Sequence, residues 1–253
     1  MTAQVQDAGT CGQAPERYGC GVRKVRQVTR TEEWLDFLRF NGAERAGAAR
    51  GLTGFGEDSD LTNALVVLVR LPVRIAGYLR SGPYQQYLQA RERMDHNLAE
   101  ILLSGTERLT GEGYRALGYM EKVPGEEAYG EIRSADRYLL DSAAAAAGLG
   151  WIGRNGRLIV RDFGPVVRTA LILTDAPAEA SEPETESHYG ACRVCAGNCP
   201  ADALTGKSWM PGMPEETLID RAACEAFIQG GVCEKCTGTC TFTQKYMRNA
   251  KWY

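Results

Sequence analysis

The segment Cys192-Arg193-Val194-Cys195-Ala196-Gly197-Asn198-Cys199-Pro200 decides how this chain is read. It is answered downstream by Cys224 and by Cys233-Glu234-Lys235-Cys236-Thr237-Gly238-Thr239-Cys240. Short Cys-x2-Cys turns present two or three thiolates from one loop, which is how iron–sulfur clusters are gripped. In two-cluster ferredoxins the last cysteine of a run crosses to the other cluster, and a proline after it turns the chain away. Cys199-Pro200 follows that grammar; Cys240 is followed by Thr241 and does not. A zinc ribbon needs only two Cys-x2-Cys pairs, leaving Cys199, Cys224 and Cys240 without a purpose. Disulfides are the remaining reading, and they are rare in a reducing compartment. The spacing favours iron and sulfide.

Crossing the runs gives one complete ligand set: Cys199, Cys224, Cys233 and Cys236. The other set, Cys192, Cys195 and Cys240, is one short. A full ferredoxin run carries a cysteine three residues before Cys192, and that position is Tyr189. The candidates for the fourth ligand are His188, Tyr189, Cys11 and Cys20. With none of them the set holds a 3Fe–4S cluster or leaves an iron open, a candidate Lewis acid. The expectation is therefore two clusters, one an ordinary 4Fe–4S.

The remaining composition narrows the setting. In 253 residues there are 29 basic and 32 acidic side chains, for a net charge of −3. No basic block is present, so nucleic acid is not expected as a partner. No apolar run reaches the ~18 residues that suggest a membrane helix. Residues 1–12 lack the apolar core of a secretory signal, and a cytoplasmic protein is expected.

Upstream, an irregular arm covers residues 1–28 and an α/β cofactor-binding domain covers 29–175. An acidic, Pro-bearing linker follows at 176–187, and the cysteine module covers 188–253. Thr29 or Thr31 caps a helix through Trp34, Leu35, Leu38 and Phe40. A Gly- and Ala-rich passage runs from Gly42 to Gly56. Leu65–Val69 reads as a buried strand. After Pro83 a long helix places Tyr84, Tyr87, Leu88, Met94, Leu98, Ile101 and Leu102 on one face, interrupted by Arg91. Tyr114–Met120 reads as a strand, Ala135–Ala147 as a helix, and 157–160 and 166–174 as strands joined at Phe163-Gly164-Pro165.

The cysteine runs, together with Ala147-Gly148-Leu149-Gly150-Trp151-Ile152-Gly153-Arg154-Asn155-Gly156 and its continuation through Asp175, resemble the epoxyqueuosine reductase and reductive dehalogenase families. The resemblance spans roughly Ser134 to Cys240. It implies an α+β fold: a nitroreductase-related mixed sheet with flanking helices, plus a C-terminal ferredoxin-like two-cluster module. It further implies a bound cobalamin, with flavin as the alternative, fed with electrons through the clusters. The implied activity is a corrinoid-dependent iron–sulfur reductase of a small organic substrate, drawing on a ferredoxin or flavodoxin. The alternative is an electron-transfer or corrinoid-reducing accessory protein without substrate chemistry of its own.

Gly148, Gly150 and Gly153 formally match a dinucleotide fingerprint, but a helix precedes them and a strand follows, the reverse of what that motif requires. They are either a tight helix-to-strand turn or, with Arg154, Asn155 and Gly156, a loop that approaches the cofactor. The proton-donating Asp of epoxyqueuosine reductases falls, in this register, on Ser134, which is grouped with the cofactor-facing residues. Asp136 and Tyr138 are the candidate catalytic residues, with Tyr129 as a further proton donor. Asp136 also reads as a charge at a helix N-terminus. His96 lacks a metal-spaced companion and is expected on a helix surface. The sequence stops soon after Cys240. The helical-repeat domain that helps epoxyqueuosine reductases bind tRNA, and a dehalogenase export signal, are therefore expected to be missing, as in a truncated, divergent relative.

Overall fold

The computed structural model describes residues 29–58, 60–121, 132–229 and 231–250. The arm 1–28, with Cys11 and Cys20, and Tyr129 lie outside the described residues. In chain order the elements are α1 (Arg30–Phe40), β1 (Arg45–Ala49), β2 (Asn63–Arg70), α2 (Val73–Ala76), α3 (Gln85–Gly111), β3 (Ala116–Glu121), β4 (Arg133–Ala135), α4 (Arg137–Ala146), β5 (Trp151–Ile152), β6 (Leu158–Ile159) and β7 (Val167–Thr174). The cysteine region adds α5 (Val194–Gly197), α6 (Arg221–Ile228), α7 (Lys235–Thr239) and α8 (Thr241–Asn249). A 3-10 turn, Gly77–Arg80, follows α2.

Five strands form one sheet in the order β1-β2-β7-β3-β4. Its pairs are antiparallel except β3 with β4, which is parallel. β2 and β7 form the centre, in register Leu65↔Ile172 and Val67↔Ala170. Val66, Val67, Leu68, Leu171, Ile172 and Leu173 there are completely buried. Such continuous apolar runs are what a sheet covered on both faces requires. The α+β class and the mixed sheet with flanking helices are those expected from the sequence.

Thr29 caps α1 through a full capping box with Glu32. α3 lays Leu98, Ile101, Leu102 and Leu109 on the core. Asp136 caps α4, its carboxylate accepting from the Tyr138 and Leu139 backbone N–H groups at 2.8 and 3.2 Å. β1 occupies the Gly/Ala-rich passage, where the sequence shows no strand signal. Its small residues are explained by close approach: a Cβ on Gly47 would run into the Ala147 carbonyl at the end of α4.

Residues 176–187, read as a linker, are fastened to the sheet domain. Ala176 and Ala178 are buried. Ser181 exchanges hydrogen bonds with Ala48, its N–H donating to the Ala48 carbonyl at 2.8 Å and its hydroxyl accepting from the Ala48 N–H at 3.0 Å. Among the described residues, no helix is long and apolar enough to cross a membrane.

The cysteine region packs directly on this domain. α7 lies against the 3-10 turn and α8 against α2. Tyr246 of α8 is buried and donates its hydroxyl to the Leu71 carbonyl at 3.0 Å.

Candidate functional site

Cys192 precedes α5, Cys195 lies in it and Cys199 follows it; Cys224 rides on α6. Cys233 precedes α7, Cys236 lies in it and Cys240 joins α7 to α8. α5 packs against α7, which interleaves the two runs. The Cys240 thiol has Cys195 and Cys192 as its charged neighbours. That of Cys224 has Arg221, then Cys199 and Cys233, and that of Cys236 has Glu234, then Cys195 and Cys233. The two runs thus meet side by side, with Cys236 facing Cys195 as well as Cys233.

Among the described residues, no group of three or more His, Cys, Asp or Glu side chains is drawn tightly enough to hold a metal ion. An iron–sulfur cage is larger than one ion and spreads its thiolates further apart. Burial pushes the Cys236 thiol up to about 12 and the Cys240 thiol up to about 11. Cys195 and Cys224 are raised by the same cause. Burial therefore favours the protonated thiol at these positions. Backbone N–H groups of Phe242 and Thr243 point at Cys240, and that of Ala203 donates to Cys199 Sγ at 3.4 Å. Such bonds tune cluster potentials.

The glycine segment supports the first cysteine loop. Arg154 is buried, and its guanidinium donates to the Cys192 carbonyl (2.7 Å), the Gly190 carbonyl (2.9 Å) and Ser208 Oγ (2.8 Å). It also lies over the Tyr189 ring, 5.5 Å from its centre. Arg154, Asn155, Tyr189, Cys192, Cys195 and Cys240 line one small pocket of about 20 Å³. Gly148 and Gly150 face protein backbone, where a Cβ would strike the carbonyls of Glu182 and Ile159. Gly153 abuts the Asn155 side chain, and Gly156 sits beside Ile219 of the cysteine region. These glycines permit chain-on-chain contact.

The other sequence candidates are engaged elsewhere. Ser134 is exposed on β4, paired with Met120. Asp136 is exposed and serves as the α4 cap. Tyr138 donates its hydroxyl to the Met213 carbonyl at 2.6 Å. His188 lies edge-on to Trp151 and bonds Glu184 at 2.9 Å, and His96 is exposed on α3 beside Glu100.

A buried ionic cluster beneath the cysteine region is invisible in the sequence except through Arg91. Arg168 of β7 donates to Asp95 at 2.7 Å and also bonds Glu121. Arg137 lies by Glu121 and Asp141, and Arg91 by Asp95. Tyr87 donates to Glu234, between Cys233 and Cys236, at 2.7 Å. Burial, then the Glu234 carboxylate, raises the Tyr87 phenol well above its ordinary value, so it stays a donor.

No protein-family model matches the chain. It is 28% identical over 136 residues to an epoxyqueuosine reductase of Synechocystis sp., covering 44% of each chain. It is 38% identical over 76 residues to that of Leadbetterella byssophila, covering 27% of this chain and 25% of the relative. It is also 29% identical over 118 residues to a tetrachloroethene reductive dehalogenase of Desulfitobacterium hafniense, covering 40% of this chain and 21% of the relative. Its relatives are the epoxyqueuosine reductases and reductive dehalogenases. The chain spans less than half the length of these curated relatives.

Solved structures of the same two families share the fold. A reductive dehalogenase described in terms of B12-dependent dehalogenation superposes with a TM-score of 0.64 at 20% identity, over 86% of this chain and 33% of that one. An epoxyqueuosine reductase bound to a modified tRNA stem loop gives 0.57 at 16% identity, over 84% of this chain and 65% of that one.

The described residues do not offer a corrin a seat between the sheet domain and α7. The pocket there holds only about 10 Å³ and is walled by Leu71, Leu79, Tyr87, Arg91, Arg137 and Glu234. Pockets for drug-sized ligands run to roughly 300–1,000 Å³, and a corrin is larger than most such ligands. Most of its charged walls are already paired, Arg168 with Asp95 and Glu121 and Arg91 with Asp95, while Arg157 Nε is buried without a hydrogen-bond partner.

Proposed function

We propose that this chain is an iron–sulfur oxidoreductase whose C-terminal, ferredoxin-like module holds two clusters. One is a 4Fe–4S cluster on Cys199, Cys224, Cys233 and Cys236; the other is held by Cys192, Cys195 and Cys240. The observation that carries the reading is the packing of α5 against α7, which brings the two half-buried cysteine runs to one place. The clusters supply one-electron transfer when bound. The chain supplies thiolates, backbone N–H donors and the Arg154 clamp on the first loop. A ferredoxin or flavodoxin is the proposed donor.

The relatives support cobalamin as the acceptor and a small organic substrate beyond it. The filled interior supports the second reading, in which electrons leave to a partner and this chain does no substrate chemistry. The engaged Tyr138 hydroxyl supports it too, since it already donates its proton to the Met213 carbonyl.

Anaerobic purification with iron, sulfide, cobalt and zinc analysis tests the proposal, followed by titration with cobalamin. Iron and sulfide sufficient for two clusters are expected. Tight uptake of cobalamin favours the first reading, and its absence the second. Zinc alone, or no iron, overturns both.

A further inference from the structure

We infer that the Cys192 side of the cysteine region is a docking face for a small acidic ferredoxin, with Val194 at its centre and Arg193, Lys245 and Arg248 around it. The inference rests on the proposed iron–sulfur function and deepens it by placing the point where electrons enter.

Charge in the cysteine region is segregated. Residues 188–201, 203–214 and 235–250 contain no Asp or Glu, and these stretches carry Arg193, Lys207, Lys235, Lys245 and Arg248. The acidic side chains fall elsewhere. Glu215, Glu216, Asp220 and Glu225 lie ahead of α6 and on it, and Glu234 is buried. Asp202 stands by Cys199, its N–H donating to the Cys199 carbonyl at 3.2 Å. A chain of net charge −3 thus turns basic side chains outward here.

These cations gather at Cys192. Its Sγ lies 3.9 Å from Thr241 Oγ1, at the start of α8. Lys245 and Arg248 follow Thr241 at four- and seven-residue spacing, which puts all three on one side of the helix. All three are exposed. Arg193 and Val194 continue the chain from Cys192, and Val194 is 39% exposed. Arg193 lies beside Gly206, the neighbour of Lys207. Among the described residues, Arg193, Lys245 and Arg248 form no ion pair, whereas Arg221 on α6 is taken up by Glu215.

The chemistry selects the partner. An aliphatic centre with a charged rim is the anatomy of a protein–protein contact, and electron-transfer encounters use small ones. Complementary rim charge speeds encounter and fixes orientation more than it tightens the complex, which suits a donor that must leave after each electron. Among the described residues, no exposed Phe, Tyr or Trp stands with these cations to stack a base of RNA. A ferredoxin carries one electron at a time on an inorganic cluster, as the module behind this face would, and is chosen over a flavin carrier on that ground.

The test uses the full chain, reconstituted anaerobically, with a plant-type 2Fe–2S ferredoxin as the probe. Calorimetry of the oxidised pair reads docking, and stopped-flow absorbance with reduced ferredoxin reads transfer. Binding is expected at about 20 mM salt and is expected to weaken at least tenfold by about 200 mM, as screening shortens the reach of the charges. The double variant Lys245→Glu, Arg248→Glu is expected to bind about tenfold more weakly at low salt and to accept electrons correspondingly more slowly, with iron content and melting temperature unchanged. Arg50→Glu, Arg93→Glu makes the same change in net charge at exposed positions of the sheet domain, and is expected to stay within about twofold of wild type because those charges lie off the contact. In a wild-type protein that holds iron, absence of ferredoxin binding, an equal loss in both doubles, or a wild-type transfer rate in Lys245→Glu, Arg248→Glu overturns the inference and leaves the proposed function standing. So does binding of a flavodoxin, or of an RNA stem loop, in place of ferredoxin. Absence of iron from the wild-type protein overturns the proposed function, and the inference with it.

Discussion

Replacing Arg168 by Met probes the buried ionic cluster on which the cysteine region rests. The Arg168 side chain is 4% exposed and its partner Asp95 is 0% exposed. The substitution removes the 2.7 Å bond to Asp95 and the bond to Glu121. Asp95 then keeps only Arg91, whose Nε is 3.8 Å away. Breaking a buried pair from one side costs about 3–5 kcal/mol. Because Arg91 and Arg137 remain, about 3 kcal/mol is expected. At about 2–4 °C per kcal/mol for a chain of this size, melting falls by roughly 6–12 °C.

The loss depends on pH. In the wild type, burial outweighs Arg168 and raises the Asp95 carboxyl, so its contribution is present below the ordinary carboxylate range and is lost as pH rises through its folded value. Glu121 goes the other way. Although burial opposes it, Arg137 and Arg168 together hold it low, so its contribution is present at neutral pH and is lost as pH falls through its folded value. Without Arg168 both carboxyls shift upward, and the stability gap from wild type is widest near neutrality and narrows toward about pH 5. Pairing the change with Asp95→Leu is expected to recover most of the loss, since apolar replacement of a whole buried pair is often neutral. Thermal melts followed by circular dichroism at the two pH values decide it. A single variant melting within about 2 °C of wild type at both would refute the reasoning, because that is under 1 kcal/mol.

Gly238→Ala places a Cβ 2.6 Å from Arg80 N and Leu79 C, both backbone atoms that cannot turn aside. The clash outweighs the roughly 1 kcal/mol of helix propensity gained, and a net loss of about 2 kcal/mol is expected by urea titration. Asp136→Ala is expected to cost about 1 kcal/mol as a lost cap, while Asp136→Asn preserves both stability and any reductase turnover. An Asn variant that is stable but inactive would instead make Asp136 a proton donor. Glu234→Gln is expected to raise the reduction potential of the cluster on Cys199, Cys224, Cys233 and Cys236. Less negative charge beside the cluster favours its reduced state, and an unshifted redox titration would show that Glu234 does not sense it.

That the two cysteine runs come together was legible from their Cys-x2-Cys spacing, and α5 packs against α7 to bring them there. The shortfall at Tyr189 was legible by counting back from Cys192. The engagement of its hydroxyl by Ile152 was not, since that contact joins segments 37 residues apart. α3 announced itself through its apolar face, and β2 and β7 through their uninterrupted aliphatic runs. β1 did not, because its Arg-Ala-Gly-Ala-Ala sequence carries no strand preference and is set by the alanine face of α4. The ionic cluster was hidden for a different reason: an arginine inside an apolar pattern reads as a solvated interruption until its partners arrive from other elements. Arg91, breaking the apolar face of α3, is the one member of the cluster that the sequence singled out.

Glu234 belongs at once to the loop that carries Cys233 and Cys236 and to the charged interior, through Tyr87. Tyr246, just past Cys240, is bonded to the chain leaving β2. Under the proposed function, oxidative loss of the clusters is therefore expected to reach beyond the cysteine region. Proteolysis after exposure to air should open cuts in the sheet domain as early as in the cysteine region, as though the inorganic cages were rivets through both.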